Sequence, residues 1–329
     1  MGFAERPRLI IVIAHGNFSC NMTMLKSQAF FLMIVILGST GYIGGKYLDL
    51  LRSRDLSCHG LSRSEIDYSD LDTLRGWLVE HKPDFLINAA GYTGKPNVDA
   101  CEDNKAECLF GNAILPGIIG RACEENEIPW GHVSSGCIYQ GRRPDGSSWT
   151  EEDSPNFSFQ SPPCSFYSGA KALGEEELKD AESCYVWRLR VPFNHEASQR
   201  NYLMKILTYD RLLEVENSLS HVDDFVDATL ACWEKQVPFG IYNVTNPGTV
   251  TTRQIVDLIK EKGLSEKEFT FFESEEQFMQ QVARSPRSSC ALDASKLTGV
   301  GIKLRSVEDA IGESLVKMKA NHSAEVASA

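Results

Sequence analysis

The sequence predicts an α/β fold, a doubly wound parallel sheet followed by a smaller C-terminal lobe. Three observations carry this. Short apolar, β-rich runs alternate with helical patterns from Ile34 to Val191. The first run ends in a glycine triplet, Gly38, Gly41 and Gly44, at the mouth of a helix. After Val191 the alternation gives way to irregular segments. Strands alternating with helices at this spacing build a parallel sheet covered on both faces.

Ile34 to Leu37 is wholly apolar and stops at a glycine, which reads as a buried strand. Apolar positions at helical spacing follow from Tyr42 to Arg52. A second strand at Ser57–Leu61 and a second helix at Leu71–Glu80 repeat the unit, and Phe85–Asn88 is the third strand. Ala106–Glu124 reads as one long amphipathic helix, Pro129–Ser134 as a fourth strand, Ser168–Ala181 as a helix and Cys184–Val191 as a fifth strand. Residues 33–191 thus form the nucleotide-binding domain. Residues 192–320 form mainly the second lobe, which exchanges a strand or helix with the first and carries loops at Asn194–Asn201 and Asn246–Thr252. Residues 321–329 read as a frayed tail. Met33 stands directly before the first strand, so residues 1–32 are set aside as an extension that is disordered or a non-native start.

Bulk properties narrow the function. A net charge of −12 offers no basic field for nucleic acid. No apolar run reaches the roughly 18 to 20 residues that span a bilayer. Ten cysteines occur without a CxxC pair or a Cys/His cluster at metal spacing, which predicts reduced thiols in a cytoplasmic protein and no metal. At 42% apolar and 24% charged residues the composition is that of a globular chain.

The chemistry starts at Gly38-Ser39-Thr40-Gly41-Tyr42-Ile43-Gly44. Glycines between a strand and a helix let backbone N–H groups and the helix dipole approach a diphosphate. The second strand ends in Gly60-Leu61-Ser62-Arg63 with no acidic residue at its tip, and an arginine there suits the extra phosphate of NADP. Asp67 is placed to meet the adenine amine. Tyr167 and Lys171 are four residues apart and share a helix face. The ammonium is expected to favour the phenolate and lower the tyrosine pKa from about 10, so that the phenol trades a proton with a carbonyl oxygen. Ser135, closing the fourth strand, would hydrogen-bond the same oxygen.

These elements resemble the extended short-chain dehydrogenase/reductase superfamily, whose nucleotide-binding half is a Rossmann fold. The resemblance narrows with Asn88-Ala-Ala-Gly91 through Asp99-Ala-Cys101-Glu102, Ser135-Gly-Cys137-Ile-Tyr139, Glu151-Glu-Asp-Ser-Pro-Asn156, Arg200-Asn201-Tyr-Leu-Met-Lys205, Asn243-Val-Thr-Asn-Pro-Gly248 and Pro286-Arg287-Ser288. Together they are similar to the bifunctional nucleotide-4-keto-6-deoxyglucose 3,5-epimerase/4-reductases of rhamnose synthesis, and to their single-function relatives, the dTDP-4-dehydrorhamnose reductases. The resemblance runs from about Met33 to Lys319.

What it implies is specific. NADPH reduces the C4 ketone with Ser135, Tyr167 and Lys171 as the catalytic set, and Lys171 also touches the cofactor. Cys137 and Lys205 are the acid/base pair that moves protons at C3 and C5. Asn88, Ala89 and Ala90 join the glycine loop at the cofactor. Thr93, Asn97, Arg200, Asn201 and Arg287 meet the nucleotide sugar, Arg287 as a clamp on the diphosphate. Asp99, Cys101 and Glu102 shape the sugar pocket or take no direct part, and His221 reads as structural. Three features depart from the family pattern: the tip of the second strand, Ser-Gly-Ala between Tyr167 and Lys171, and an insert at Ser158–Pro163. Two other functions stay open, a reductase without epimerase activity and a non-catalytic NADP-binding subunit. UDP and dTDP are not separated, and a homodimer is left open.

Overall fold

A computed structural model describes residues 32–328 apart from Pro96. The expected N-terminal extension, Leu32 excepted, lies outside the described residues. In chain order the elements are β1 (Ile34–Leu37), α1 (Tyr42–Ser53), β2 (Cys58–Leu61), α2 (Leu71–His81), β3 (Phe85–Asn88), α3 (Ala100–Asp103) and α4 (Lys105–Leu109). A π-helical turn at Phe110–Ile114 leads into α5 (Leu115–Glu125), followed by β4 (Trp130–Ser135), α6 (Phe166–Glu177) and β5 (Cys184–Leu189). The rest comprises β6 (Pro192–Phe193), α7 (Tyr202–Thr208), β7 (Arg211–Leu212), β8 (Glu216–Asn217), β9 (Ser220–His221), α8 (Val222–Glu234) and β10 (Gly240–Asn243). It ends with β11 (Val250–Thr251), α9 (Thr252–Glu261), β12 (Thr270–Phe271), α10 (Glu275–Gln281), α11 (Ser295–Gly299) and α12 (Val307–Ser328).

The main sheet is parallel, in the order β2-β1-β3-β4-β5-β10. Successive side chains of a strand point to opposite faces, and the sheet sorts them so. Ile34, Ile36, Phe85 and Ile87 pack with Tyr47 and Leu51 of α1 and Phe225 and Leu230 of α8. Val35, Leu37 and Leu86 pack with Leu74 and Leu78 of α2 and Leu115 and Ile119 of α5. Strand order reverses between β1 and β3. In doubly wound sheets the ligand crevice opens at the carboxyl ends of the strands at that point. The glycine loop, Asn88–Ala90 and, one strand further, Ser135 all stand at those ends.

β10 is the strand that the second lobe lends to the first: it lies 51 residues beyond β5 in sequence and pairs Gly240 with Tyr185 and Asn243 with Arg188. A separate apolar cluster, including Phe193, Leu203, Ile206, Val250, Ile255 and Ile311, serves the later segments.

The sequence reading is corrected in three places. The long helix expected over Ala106–Glu124 is not one α-helix. A π turn interrupts it where Asn112 is fully buried and its side chain ties down Tyr92, accepting from the amide (3.2 Å) and donating to the carbonyl (2.7 Å). The fifth strand stops at Leu189 rather than Val191, which takes a positive φ of 37°. Where a frayed end is expected, the backbone stays helical through Ser328, since no Gly or Pro follows Gly312 to stop it.

Candidate active site

The glycine loop is shaped for close approach. Gly38 has φ +75°, and a Cβ there would lie 2.6 Å from the Ala90 amide nitrogen, so β1 and β3 can meet only through a glycine. A Cβ on Gly44 would lie 2.2 Å from the Gly38 carbonyl oxygen. Gly41 is the exposed N-cap of α1 and places no side chain over the first amides of the helix. Those donors stay available for an anion. Thr40 is exposed beside it, Ile43 packs on the core, and Ser39 is buried against Gly60 of β2. Tyr42 donates from its hydroxyl to Asn194 (3.0 Å), which joins the loop to the segment after β6.

Of the other cofactor candidates, Asn88 is fully buried and spent internally. It accepts from the Ala90 amide (3.0 Å) and donates to His132 Nδ1 (3.0 Å), so it shapes the Ala89–Ala90 turn. Arg63 is exposed at the end of β2, its guanidinium 5.6 Å from the Tyr68 ring, and forms no ion pair among the described residues. Asp67 accepts from the Ser69 amide (3.1 Å) and hydroxyl in a surface turn. The tip of β2 does carry a carboxylate, which the sequence reading missed. Glu65 folds back to accept from the Ser62 amide and hydroxyl, both at 2.8 Å.

Tyr167, Lys171 and Ser135 converge as expected. α6 starts at a Ser165 cap and turns Tyr167 towards the end of β4, where its phenol lies beside Ser135. Lys171 is buried and donates to the Val133 carbonyl at 3.4 Å. The electrostatics differ from the expectation. Burial pushes the Tyr167 phenol well above its ordinary value, neighbouring thiols add to this, and the nearby Ser135 hydroxyl opposes it. Burial likewise lowers the Lys171 pKa, against the charges of Cys137 and Glu175. Desolvation outweighs charge here because both groups are packed among protein atoms, Lys171 buried and Tyr167 half-buried.

Cys137 sits in a single 3-10 turn after β4. It is buried beside Ser135, Ser168 and Tyr167, and burial raises its pKa while bonds with Ser135 and Ser168 work the other way. Lys205 projects from α7 into a different group. Burial first, then the charges of Arg200 and Arg287, lower its pKa. The Lys205 ammonium has no hydrogen bond or ion pair among the described residues. Arg200 donates to the Thr93 hydroxyl and to the Gly94 carbonyl (3.0 Å). Arg287 pairs with Asp99, which a hydrogen bond from its own amide also ties to Asn97 (2.8 Å). Asn201 stands apart from the expected sugar contacts. It is fully buried, caps α7 by accepting from Leu203 (3.1 Å), and donates to the Asn194 (2.7 Å) and Glu196 (2.8 Å) carbonyls. Its amide is used up in holding the loop.

The insert and the Ser-Gly-Ala triplet explain each other. Phe159 of the insert stacks edge-on with Phe166, and a Cβ on Gly169 would meet its ring at 2.2 Å. Ala170 packs on Cys101 and Cys108. Small residues after Tyr167 are what let both neighbours close in. Glu102 acts on this helix too, accepting from the Phe166 amide at 2.8 Å. His221 caps α8, accepting from the Asp224 amide (3.3 Å), as its structural reading implies. Sequence reasoning passed over Asn112, Glu175 and Arg188. The one available signal was polar side chains inside otherwise apolar helix and strand patterns.

Comparison with known proteins agrees with this geometry. The family model described as RmlD substrate binding domain matches residues 32–320. A bifunctional dTDP-4-dehydrorhamnose 3,5-epimerase/dTDP-4-dehydrorhamnose reductase of Arabidopsis thaliana is 33% identical over 291 residues, 86% of this chain and 91% of that protein. A trifunctional UDP-glucose 4,6-dehydratase/UDP-4-keto-6-deoxy-D-glucose 3,5-epimerase/UDP-4-keto-L-rhamnose-reductase of the same plant is 32% identical over 292 residues. The chain spans 41% of that relative's length. The crystal structure of a UDP-rhamnose synthase from Acanthamoeba polyphaga mimivirus superposes with a TM-score of 0.80 at 25% identity, over 87% of this chain and 99% of that one. This chain belongs to the RmlD substrate binding domain family.

Proposed function

We propose that the protein is an NADPH-dependent reductase of a nucleotide-bound 4-keto-6-deoxy sugar that also epimerises C3 and C5, yielding the nucleotide-L-rhamnose. The observation that carries the reductase is the meeting of Ser135, Tyr167 and Lys171 at the ends of the parallel strands, beside a glycine loop with open amides. Relatives named as 4-keto-rhamnose reductases support the substrate class.

The residues present fit a dinucleotide. Gly41 and the first amides of α1 would hold the diphosphate, Arg63 the added phosphate and Lys171 the nicotinamide ribose. NADPH, when bound, supplies the hydride for C4. Ser135 and Tyr167 hold the C4 oxygen, and Tyr167 gives it a proton as the alkoxide forms. A phenol kept protonated by burial suits the role of donor. The positive charge of Lys171 then steadies the phenolate left behind.

Epimerisation needs a group on either side of the carbons α to the ketone. Cys137 lies with Ser135 and Tyr167, and Lys205 is an amine unpaired among the described residues, whose proton burial and two arginines help to expel. The enolate formed at C3 or C5 is stabilised at the same oxygen that Ser135 and Tyr167 hold. The test is incubation of the purified protein with NADPH and UDP- or dTDP-4-keto-6-deoxyglucose in heavy water, followed by product identification. A rhamnose product with deuterium at C3 and C5 is expected. Reduction without exchange leaves a reductase alone, and no reduction refutes the reading. Tyr167→Phe should lose roughly 10²- to 10⁴-fold in reduction and keep cofactor affinity.

A further inference from the structure

Taking the protein as the reductase proposed above, we propose that Glu175 is a positioning residue of the reaction: it locks the catalytic helix in register on β4 and supplies the counter-charge for the Lys171 ammonium. Tyr167, Lys171 and Glu175 follow one another at four-residue spacing and so share one face of α6. That face meets consecutive residues of β4. Tyr167 lies beside Ser135, Lys171 donates to the Val133 carbonyl (3.4 Å), and Glu175 accepts from the Ser134 hydroxyl (2.6 Å).

The carboxylate is sealed from solvent. The Glu175 side chain is 6% exposed and its partner Arg188 2%. Arg188 stands beside Ser134 in the sheet and donates from Nε (3.2 and 3.1 Å) and from its terminal nitrogen (2.7 Å) to Glu175. A buried ion pair gains little stability over apolar residues of the same volume, because desolvation cancels most of the attraction. Packing alone does not call for charge here, whereas Lys171 does. Its ammonium is buried, and Glu175 stands one turn further along the same buried face of α6; the charges that raise the Lys171 pKa against burial are those of the Cys137 and Cys108 thiols and the Glu175 carboxylate. Glu175 is the carboxylate of that set. The contacts with Val133 and Ser134 also set how far α6 slides along β4, and hence the distance from Tyr167 to Ser135.

Two variants of the full chain separate these effects. Glu175→Gln with Arg188→Met removes both charges at similar volume. Ser134→Ala removes the register bond and leaves every charge in place. The readouts are thermal melting, NADPH affinity against pH, and kcat and KM against pH. The double variant should lose NADPH affinity and kcat on the alkaline side at a pH lower by roughly one unit, as expected for a lost neighbouring charge. Ser134→Ala should lose roughly 10-fold in kcat with KM and the alkaline limb unmoved. A folded double variant with wild-type kcat and alkaline limbs overturns the proposal. If the double variant does not fold, Ser134→Ala decides: wild-type kcat overturns the register role. A wild-type protein that reduces no 4-keto sugar refutes the reductase reading, and the alkaline limb of NADPH binding still tests Glu175.

Discussion

The three loop glycines look interchangeable in sequence but carry different loads, and alanine separates them. At Gly44 a methyl would sit 2.2 Å from the Gly38 oxygen, 2.7 Å from the Gly38 carbonyl carbon and 2.9 Å from the Ser39 Cα. All three are backbone atoms, so no side chain can swing away and α1 must shift off the loop. Overpacking of this kind costs about 3 kcal/mol, which lowers the melting temperature by roughly 5 to 10 °C. Gly38→Ala meets similar contacts and adds about 1 to 2 kcal/mol for the left-handed backbone. Gly41→Ala is different. Its backbone, at φ −81° and ψ 169°, suits any residue, and the nearest atom to an added Cβ is the Gly38 oxygen at 3.2 Å. Stability should change by less than about 1 kcal/mol. The methyl would stand before the open amides of α1, where a charge-assisted hydrogen bond is worth about 1.5 to 3 kcal/mol. Loss of one such bond weakens NADPH by roughly 10- to 100-fold. Scanning fluorimetry and NADPH titration on the three variants settle the matter. If Gly41→Ala melts early yet binds NADPH normally, or Gly44→Ala melts like wild type, the division of labour is wrong.

Arg63→Ala should weaken NADPH selectively and leave NADH unchanged, measured as paired dissociation constants at fixed ionic strength. Equal losses for both would point to Glu65 as the residue that governs the tip of β2. Cys137→Ser and Lys205→Ala should each stop deuterium uptake at C3 and C5, while reduction of an already epimerised substrate continues; nuclear magnetic resonance of the recovered sugar reads this. Asp224→Asn should lower the melting temperature at neutral pH. Burial alone would raise the Asp224 pKa, but the neighbouring His221 ring and hydrogen bonds from Arg305 and Asn246 outweigh it and hold it down to about 2. A depressed carboxylate stabilises above its unfolded value of about 3.9 and loses this as pH falls towards 2. The gap between variant and wild type should therefore close across that window, and a gap independent of pH would contradict the reasoning.

Much of this protein was legible because local rules encode it. The apolar run Ile34–Leu37, the glycine spacing and the four-residue step from Tyr167 to Lys171 each act over a single turn or strand. They specify the first βα unit and α6 without reference to the rest of the chain. What stands opposite a side chain is decided only by folding. Asn201 reads as a sugar ligand by motif, yet the loop from Asn194 to Glu196 wraps around its amide. Arg287 reads as a free clamp, but Asp99, 188 residues away in sequence, holds it. Glu65 seemed to lie beyond the tip of β2 until a turn brought it back. Glu102 reads as a shaper of the sugar pocket, yet it accepts from the Phe166 amide at the start of α6, and Glu175, which carries no signal in the sequence, is buried against Ser134 and Arg188. A polar group's role depends on which partner reaches it when water leaves, and that is set by sheet order and by the register of α6 on β4. Neither is written in the spacing of residues along one element, because both arise from contacts between segments that only the closed tertiary structure brings together.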